Sequence, residues 1–125
     1  AGVYATALAE LVRCRKETHW MWFIFPQLRG LGMSSTARAF ELSGLAEARA
    51  YLAHPVLGAR LAECVEVAMG CANRDLQVVL GAPDDLKLRS CLTLFEAAGG
   101  GAPFSEALDA LYAGRRDPRT LAMLG

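Results

Sequence analysis

The side chains of this chain that could do chemistry fall into three groups, and the densest is Lys16-Glu17-Thr18-His19-Trp20-Met21-Trp22-Phe23-Ile24-Phe25-Pro26-Gln27. It holds both tryptophans, two of the five phenylalanines and one of the two histidines. An imidazole titrates near neutrality, so His19, beside Lys16 and Thr18, could contact an anion or move a proton. The indole faces of Trp20 and Trp22 are platforms for a flat ring, and Gln27 closes the candidate set of this block. In an extended segment side chains alternate, which would put Trp20, Trp22 and Ile24 on one side and His19, Met21, Phe23 and Phe25 on the other. Burial of the rings in a core, with His19 satisfied by backbone, is the competing expectation.

The second group is Gly30-x-Gly32-x-Ser34-Ser35-Thr36. Free N–H groups at a helix start, hydroxyls at Ser34 and Ser35, and Arg38 one turn on would suit a phosphate or carboxylate. It is not a Walker A loop, which needs GK[ST], nor a dinucleotide fingerprint, which needs a preceding strand. Ordinary N-capping accounts for the same residues. In the third group, Asp84-Asp85-Leu86-Lys87-Leu88-Arg89-Ser90, Lys87 and Ser90 share a helix face while Arg89 points elsewhere, toward a carboxylate. Capping and surface ion pairs are the alternative. The candidate ligand set is therefore His19, Trp20, Trp22, Gln27, Ser34, Ser35, Arg38, Asp84 and Lys87. Of these, His19, Trp20 or Trp22, Ser35, Arg38 and Lys87 are expected to converge on one concavity between the first, second and central helices. No catalytic residue is assigned: Cys14 lies five residues from His19, and a pairing in sequence alone is weak.

The elements that must position these groups are helical. Tyr4, Leu8, Leu11 and Val12 make a helical stripe over residues 3–16. The block from Trp20 to Gln27 lacks that spacing and ends at Pro26, so an extended or irregular link is expected there. A short helix follows from the Ser34-Ser35-Thr36 cap to Leu42, then Leu45 to Ala53 behind a Gly44/Glu47 capping pattern. His54-Pro55 ends that helix, and the next runs to about Cys71 on Leu57, Leu61, Cys64, Val65 and Ala68. A short helix from Asp75 to Leu80 precedes the one opened by Pro83-Asp84-Asp85, whose apolar residues on more than one face make it central. Gly99-Gly100-Gly101 breaks it. Phe104 to Tyr112 forms the next helix, and Asp117-Pro118 caps the last. The fold class is all-α, a bundle of six to eight short helices in one domain.

Bulk properties narrow the function. The 125 residues are 54% hydrophobic, yet no window reaches the ~20 apolar residues of a membrane span. Lys plus Arg and Asp plus Glu number 13 each, which disfavours nucleic acid as a partner. Four cysteines sit singly, so a metal site is not expected and they are read as reduced core residues in a reducing cytoplasm. No cofactor is implied, and the chain is expected to be a monomer or weak homodimer.

His19-Trp20-Met21-Trp22-Phe23-Ile24-Phe25-Pro26-Gln27-Leu28 resembles the signature of the domain-of-unknown-function 1810 family. Ser34 to Arg38, Ala48 to Gly58, Pro83 to Ser90 and Asp117 to Leu121 are similar to its later blocks, in order over nearly the whole chain. The resemblance implies an all-helical bacterial cytoplasmic protein and no established activity. A calpastatin label carried by some relatives does not suit a chain this apolar, since such inhibitors are polar and disordered. Two departures from the family stand out: a further short helix usually precedes the position of Tyr4, and Glu17 stands where a basic or small residue is expected. Stacking rings, a helix-start anion site and basic residues together describe an anionic, aromatic small-molecule ligand, nucleotide-like in character. The alternative is a protein-interaction module using an exposed aromatic patch.

Overall fold

The central helix is Asp84–Ala97, and its sequence explains why the bundle forms around it. Leu88, Cys91, Leu92, Leu94 and Phe95 are all buried, and so are Ser90 and Thr93 between them. A helix whose residues 90–95 are buried on every face is stable only when other helices cover that stretch. In this computed structural model, which describes residues 2–31, 35 and 39–125, eight helices are present among the described residues. They are α1 (Gly2–Val12), α2 (Met21–Ile24), α3 (Leu45–Ala53), α4 (Leu57–Met69), α5 (Leu76–Leu80), α6 (Asp84–Ala97), α7 (Ala102–Tyr112) and α8 (Pro118–Leu124). No strand occurs among them; a lone parallel bridge joins Leu28 to Leu42. No described helix is long and apolar enough to cross a membrane.

Packing follows the stripes. The Phe95 ring of α6 stacks on Phe104 of α7 with centroids 5.6 Å apart and meets Tyr51 of α3 at 5.4 Å. In α4, Leu61, Cys64, Val65 and Ala68 face inward as expected. The α3–α4 corner is tight: a Cβ on Gly58 would stand 2.2 Å from the Leu52 carbonyl oxygen. His54 ends α3 and caps α4, its Nδ1 accepting from the backbone N–H groups of Val56 and Leu57 at 3.2 and 3.1 Å. Glu47 does reach back over the start of α3, but it accepts from the Ser43 N–H at 2.7 Å, one residue before the Gly44 N–H that the capping pattern would bond.

Two expectations are corrected. The aromatic block is not extended: Met21–Ile24 forms one helical turn. Trp20, Met21, Ile24 and Phe25 are therefore the buried set, at helical spacing, with Phe23 exposed. Four residues in a row are too few to show period 3.6, so the sequence alone fits alternation at period two equally well. The cysteines are not all reduced either: Cys14 and Cys71 form a disulfide across 57 residues of sequence. The first helix stops at Val12 and Cys14 takes a left-handed φ of 55°, which turns its side chain toward the end of α4. Sequence spacing carries no signal for such a pair, since it is made by tertiary approach. Cys64 and Cys91 remain free and buried.

Candidate functional site

A cleft of about 510 Å³ opens between the Gln27–Leu31 segment, the first turns of α6 and the start of α8. Leu31, Pro83, Leu86 and Pro118 supply apolar wall, while Gln27, Lys87, Arg89, Ser90, Asp117 and Arg119 supply polar groups. The Gln27 edge is held by backbone bonds between its carbonyl and the Leu42 N–H at 2.8 Å and between the Arg29 N–H and the Leu42 carbonyl at 2.7 Å.

The α8 edge is built on Asp117. Its carboxylate accepts from Thr120 N–H at 3.0 Å, Thr120 Oγ1 at 2.6 Å and Ser90 Oγ at 3.1 Å. Its own N–H donates to Thr93 Oγ1 at 2.9 Å. Burial works to raise the Asp117 pKa, but the Thr120 and Ser90 hydrogen bonds and the Arg89 charge outweigh it, so the carboxyl is held low and ionised. Arg89 reaches Asp117 only at 3.4 Å through Nη2, and its Nε is buried with no partner. Most of the acceptor capacity of Asp117 is thus used by the cap, and the guanidinium is left under-satisfied.

The α6 edge carries a shared carboxylate. Asp84 meets the Lys16 ammonium at 3.0 Å and the Lys87 ammonium at 3.8 Å. Lys16 is nearly buried, its side chain 9% exposed, and it also lies over the Trp20 ring at 5.4 Å. Arg119 has no ion pair among the described residues. Three cations therefore face the cleft against one carboxylate that is already engaged.

Comparison with known proteins fits this architecture to a family. The model of a protein family of unknown function, DUF1810, matches residues 1–124. The chain belongs to that family. The crystal structure of the conserved hypothetical protein Rv1873 from Mycobacterium tuberculosis is similar at 46% sequence identity and a TM-score of 0.95, over 99% of this chain and 89% of that one. No curated protein matches the sequence.

In this DUF1810 chain the expected site residues divide. Gln27 and Lys87 line the cleft together, and Asp84 flanks it through its Lys87 contact. Ser90 shares the face of Lys87 as expected, and Arg89 does reach a carboxylate, but it does not point elsewhere: it lines the same cleft as Lys87 and Ser90. His19 and Trp20 do not converge with them; with Thr18 and residues of α1 they border a separate open depression. Trp20 is 1% exposed and its indole N–H donates to Glu10 at 2.8 Å, so it is core rather than a stacking platform. Trp22 is half-buried against the Phe40 ring, 6.5 Å away. Ser35 is exposed and lines neither concavity. Ser34 and Arg38, with the loop anion site built on them, lie outside the described residues. Among the described residues no group of three or more His, Cys, Asp or Glu side chains could hold a metal ion.

Glu10 was not anticipated. Nearly buried in α1, its carboxylate accepts from Glu17 N–H at 2.7 Å, Thr18 N–H at 3.1 Å, Thr18 Oγ1 at 2.7 Å and Trp20 Nε1. Burial raises its pKa, but these four donors prevail and bring it down to about 2. The available signal was an acid at i+3 from Ala7, in the stripe that Leu11 continues. Arg119 was missed because it sits beside the cap of the last helix. The free thiols offer no nucleophile: burial pushes Cys64 up to about 11 and Cys91 well above the ordinary thiol value.

Proposed function

We propose that this protein binds a small anionic molecule in the cleft between Gln27, α6 and the start of α8. The observation that carries the reading is the unspent positive charge of that cleft. Lys87, Arg89 and Arg119 face it; Asp117 offsets one of these charges, that of Arg89, while it caps α8, and Asp84 lies closer to Lys16. Ordinary concave ligand sites combine an apolar wall with a few convergent polar groups, and this cleft has both. A nucleotide-like ligand suits it with its ring against Leu86 and Pro118 rather than on a tryptophan. Binding is favoured over catalysis, since the described lining residues include no histidine or cysteine. A bacterial setting goes with this reading on the strength of the Mycobacterium relative, and the Cys14–Cys71 disulfide suits an oxidising compartment.

The test is a thermal-shift screen against anionic metabolites. A ligand of the native state raises the unfolding midpoint by mass action, and replacing Lys87 and Arg119 by Ala should erase that rise. A rise that survives both replacements would place the ligand elsewhere.

A second reading has its own support. Phe23 and Phe40 are 37% and 41% exposed, and their rings meet edge to face at 6.0 Å, with Trp22 alongside. Exposed contiguous rings of this kind fit a protein-interaction patch. The two readings separate by mutation: Phe23→Ser should abolish self-association or partner capture and leave anion binding intact.

A further inference from the structure

We infer that the cleft takes a doubly charged oxyanion of the phosphate type, and that Lys16, which does not line the cleft, is the positioning residue that keeps Lys87 available to it. The inference rests on the reading of the cleft as an anion site and adds the ligand's charge class and the device that maintains it. Of the three cations facing the cleft, Arg89 has Asp117 as its counter-charge. Two positive charges remain, on Lys87 and Arg119. A phosphoryl group carries close to two negative charges at neutral pH, and a single carboxylate only one. An arginine fork beside a lysine point charge is a common way to hold such a group.

Lys87 would not be available if Asp84, three residues earlier on α6, neutralised it. Asp84 faces the two ammonium groups unequally: Oδ2 is 3.0 Å from Lys16, whereas Oδ1 is 3.8 Å from Lys87, beyond hydrogen-bond reach. Lys16 has no other salt-bridge partner among the described residues. Its side chain is 9% exposed against 31% for Lys87, so it loses far more if unpaired. The Lys16 N–H is in turn tied to the Val79 carbonyl at 2.8 Å, and the neighbouring Glu17 and Thr18 are fastened by Glu10. Asp84 is thereby drawn away from the cleft, and the Lys87 donors stay free for a ligand.

The experiment titrates inorganic phosphate and acetate by calorimetry into the wild-type protein and into Asp84→Asn, Lys16→Met, the double variant and Lys87→Ala. Phosphate should bind the wild type at least roughly tenfold more tightly than acetate, and Lys87→Ala should lose it. Asp84→Asn should tighten phosphate roughly threefold to tenfold, by removing a partly screened negative neighbour of Lys87. Lys16→Met should weaken it by a similar factor, as Asp84 turns to Lys87. The double variant should match Asp84→Asn, because Lys16 acts only through Asp84; a double variant that merely averages the two single effects overturns the positioning role. Asp84→Asn also leaves the nearly buried Lys16 ammonium without its partner and removes an acid from the first turn of α6, so its melting midpoint should fall while affinity rises. A stability artefact would move both the same way. If Lys16→Met does not fold, Lys16→Gln, which removes the charge that holds Asp84 but keeps a polar head, takes its place and should weaken phosphate in the same sense. Phosphate binding that is lost in Lys87→Ala but indifferent to Asp84→Asn overturns the positioning role and leaves the anion site standing. Equal affinity for acetate overturns the dianion class, and no anion binding in the wild type overturns the inference together with the reading beneath it.

Discussion

The aromatic block and the cleft both bring charged side chains next to apolar surface, but they use them in opposite ways. Around Trp20, the buried carboxylate of Glu10 meets four donors, and the Lys16 ammonium is shared between Asp84 and the indole ring. In the cleft, Arg119 has no described ion pair, Lys87 is held loosely and the Arg89 Nε has no partner. The block is rich in residue types associated with chemistry, yet it uses up nearly all its hydrogen-bonding capacity internally. The cleft looks ordinary in sequence and keeps capacity in reserve. Unspent donors, rather than striking composition, mark where a ligand can be recognised.

If the block is structural, breaking it should cost stability and little else. The largest effect is expected for Cys14→Ser, since a cross-link spanning 57 residues is worth about 4 kcal/mol in loop-closure entropy. Chemical denaturation with and without a dithiol reductant measures it. An unchanged denaturation midpoint would mean that the two sulfurs are not bonded in solution. Glu10→Gln comes next, at roughly 3 kcal/mol, because it removes a buried charge from four donors and turns an amide N–H toward some of them. The same carboxylate makes stability depend on acid. Folding lowers its pKa from 4.5 to about 2, so its contribution is complete above about pH 4.5 and drains away as the pH falls toward 2. In Glu10→Gln that part of the acid dependence should vanish, which a pH series of urea melts reads directly.

The cleft should respond in the reverse sense, with Asp117 as the point where the two behaviours meet. Asp117→Ala removes the α8 cap and is expected to cost about 2 kcal/mol, while also loosening Arg89. Circular dichroism melts would sharpen the comparison by showing whether this edge is as structural as the block. The smallest stability effect belongs to the pair Lys87→Ala and Arg119→Ala, within about 0.5 kcal/mol of wild type. A larger loss would show that these charges hold the fold together, and the contrast between the two regions would fail.

Much of the scaffold was legible because it is local. The α4 stripe, the Asp117-Pro118 cap and the central place of α6 all follow from residues within a turn or two of one another. That Arg89 reaches a carboxylate was legible too, but not that it would do so inside the cleft that Lys87 and Ser90 line. What escaped depends on approach between distant segments. Glu10 looks like one acid in an amphipathic helix until Trp20 is folded over it. Cys14 and Cys71 have no shared pattern, and Arg119 gains meaning only when α8 packs beside α6. Period two was read into Trp20–Gln27 because a single turn of helix leaves almost no periodic trace.

The missing side chain at Gly58 has a reach of its own. With the Leu52 oxygen 2.2 Å from where a methyl would stand, the meeting of α3 and α4 is set by excluded volume rather than by attraction. Repulsion of that kind does not fade with salt, and no proton titrates it away. While charge and acidity tune the cleft and the Glu10 cluster, the angle at this corner is a purely mechanical constant of the molecule.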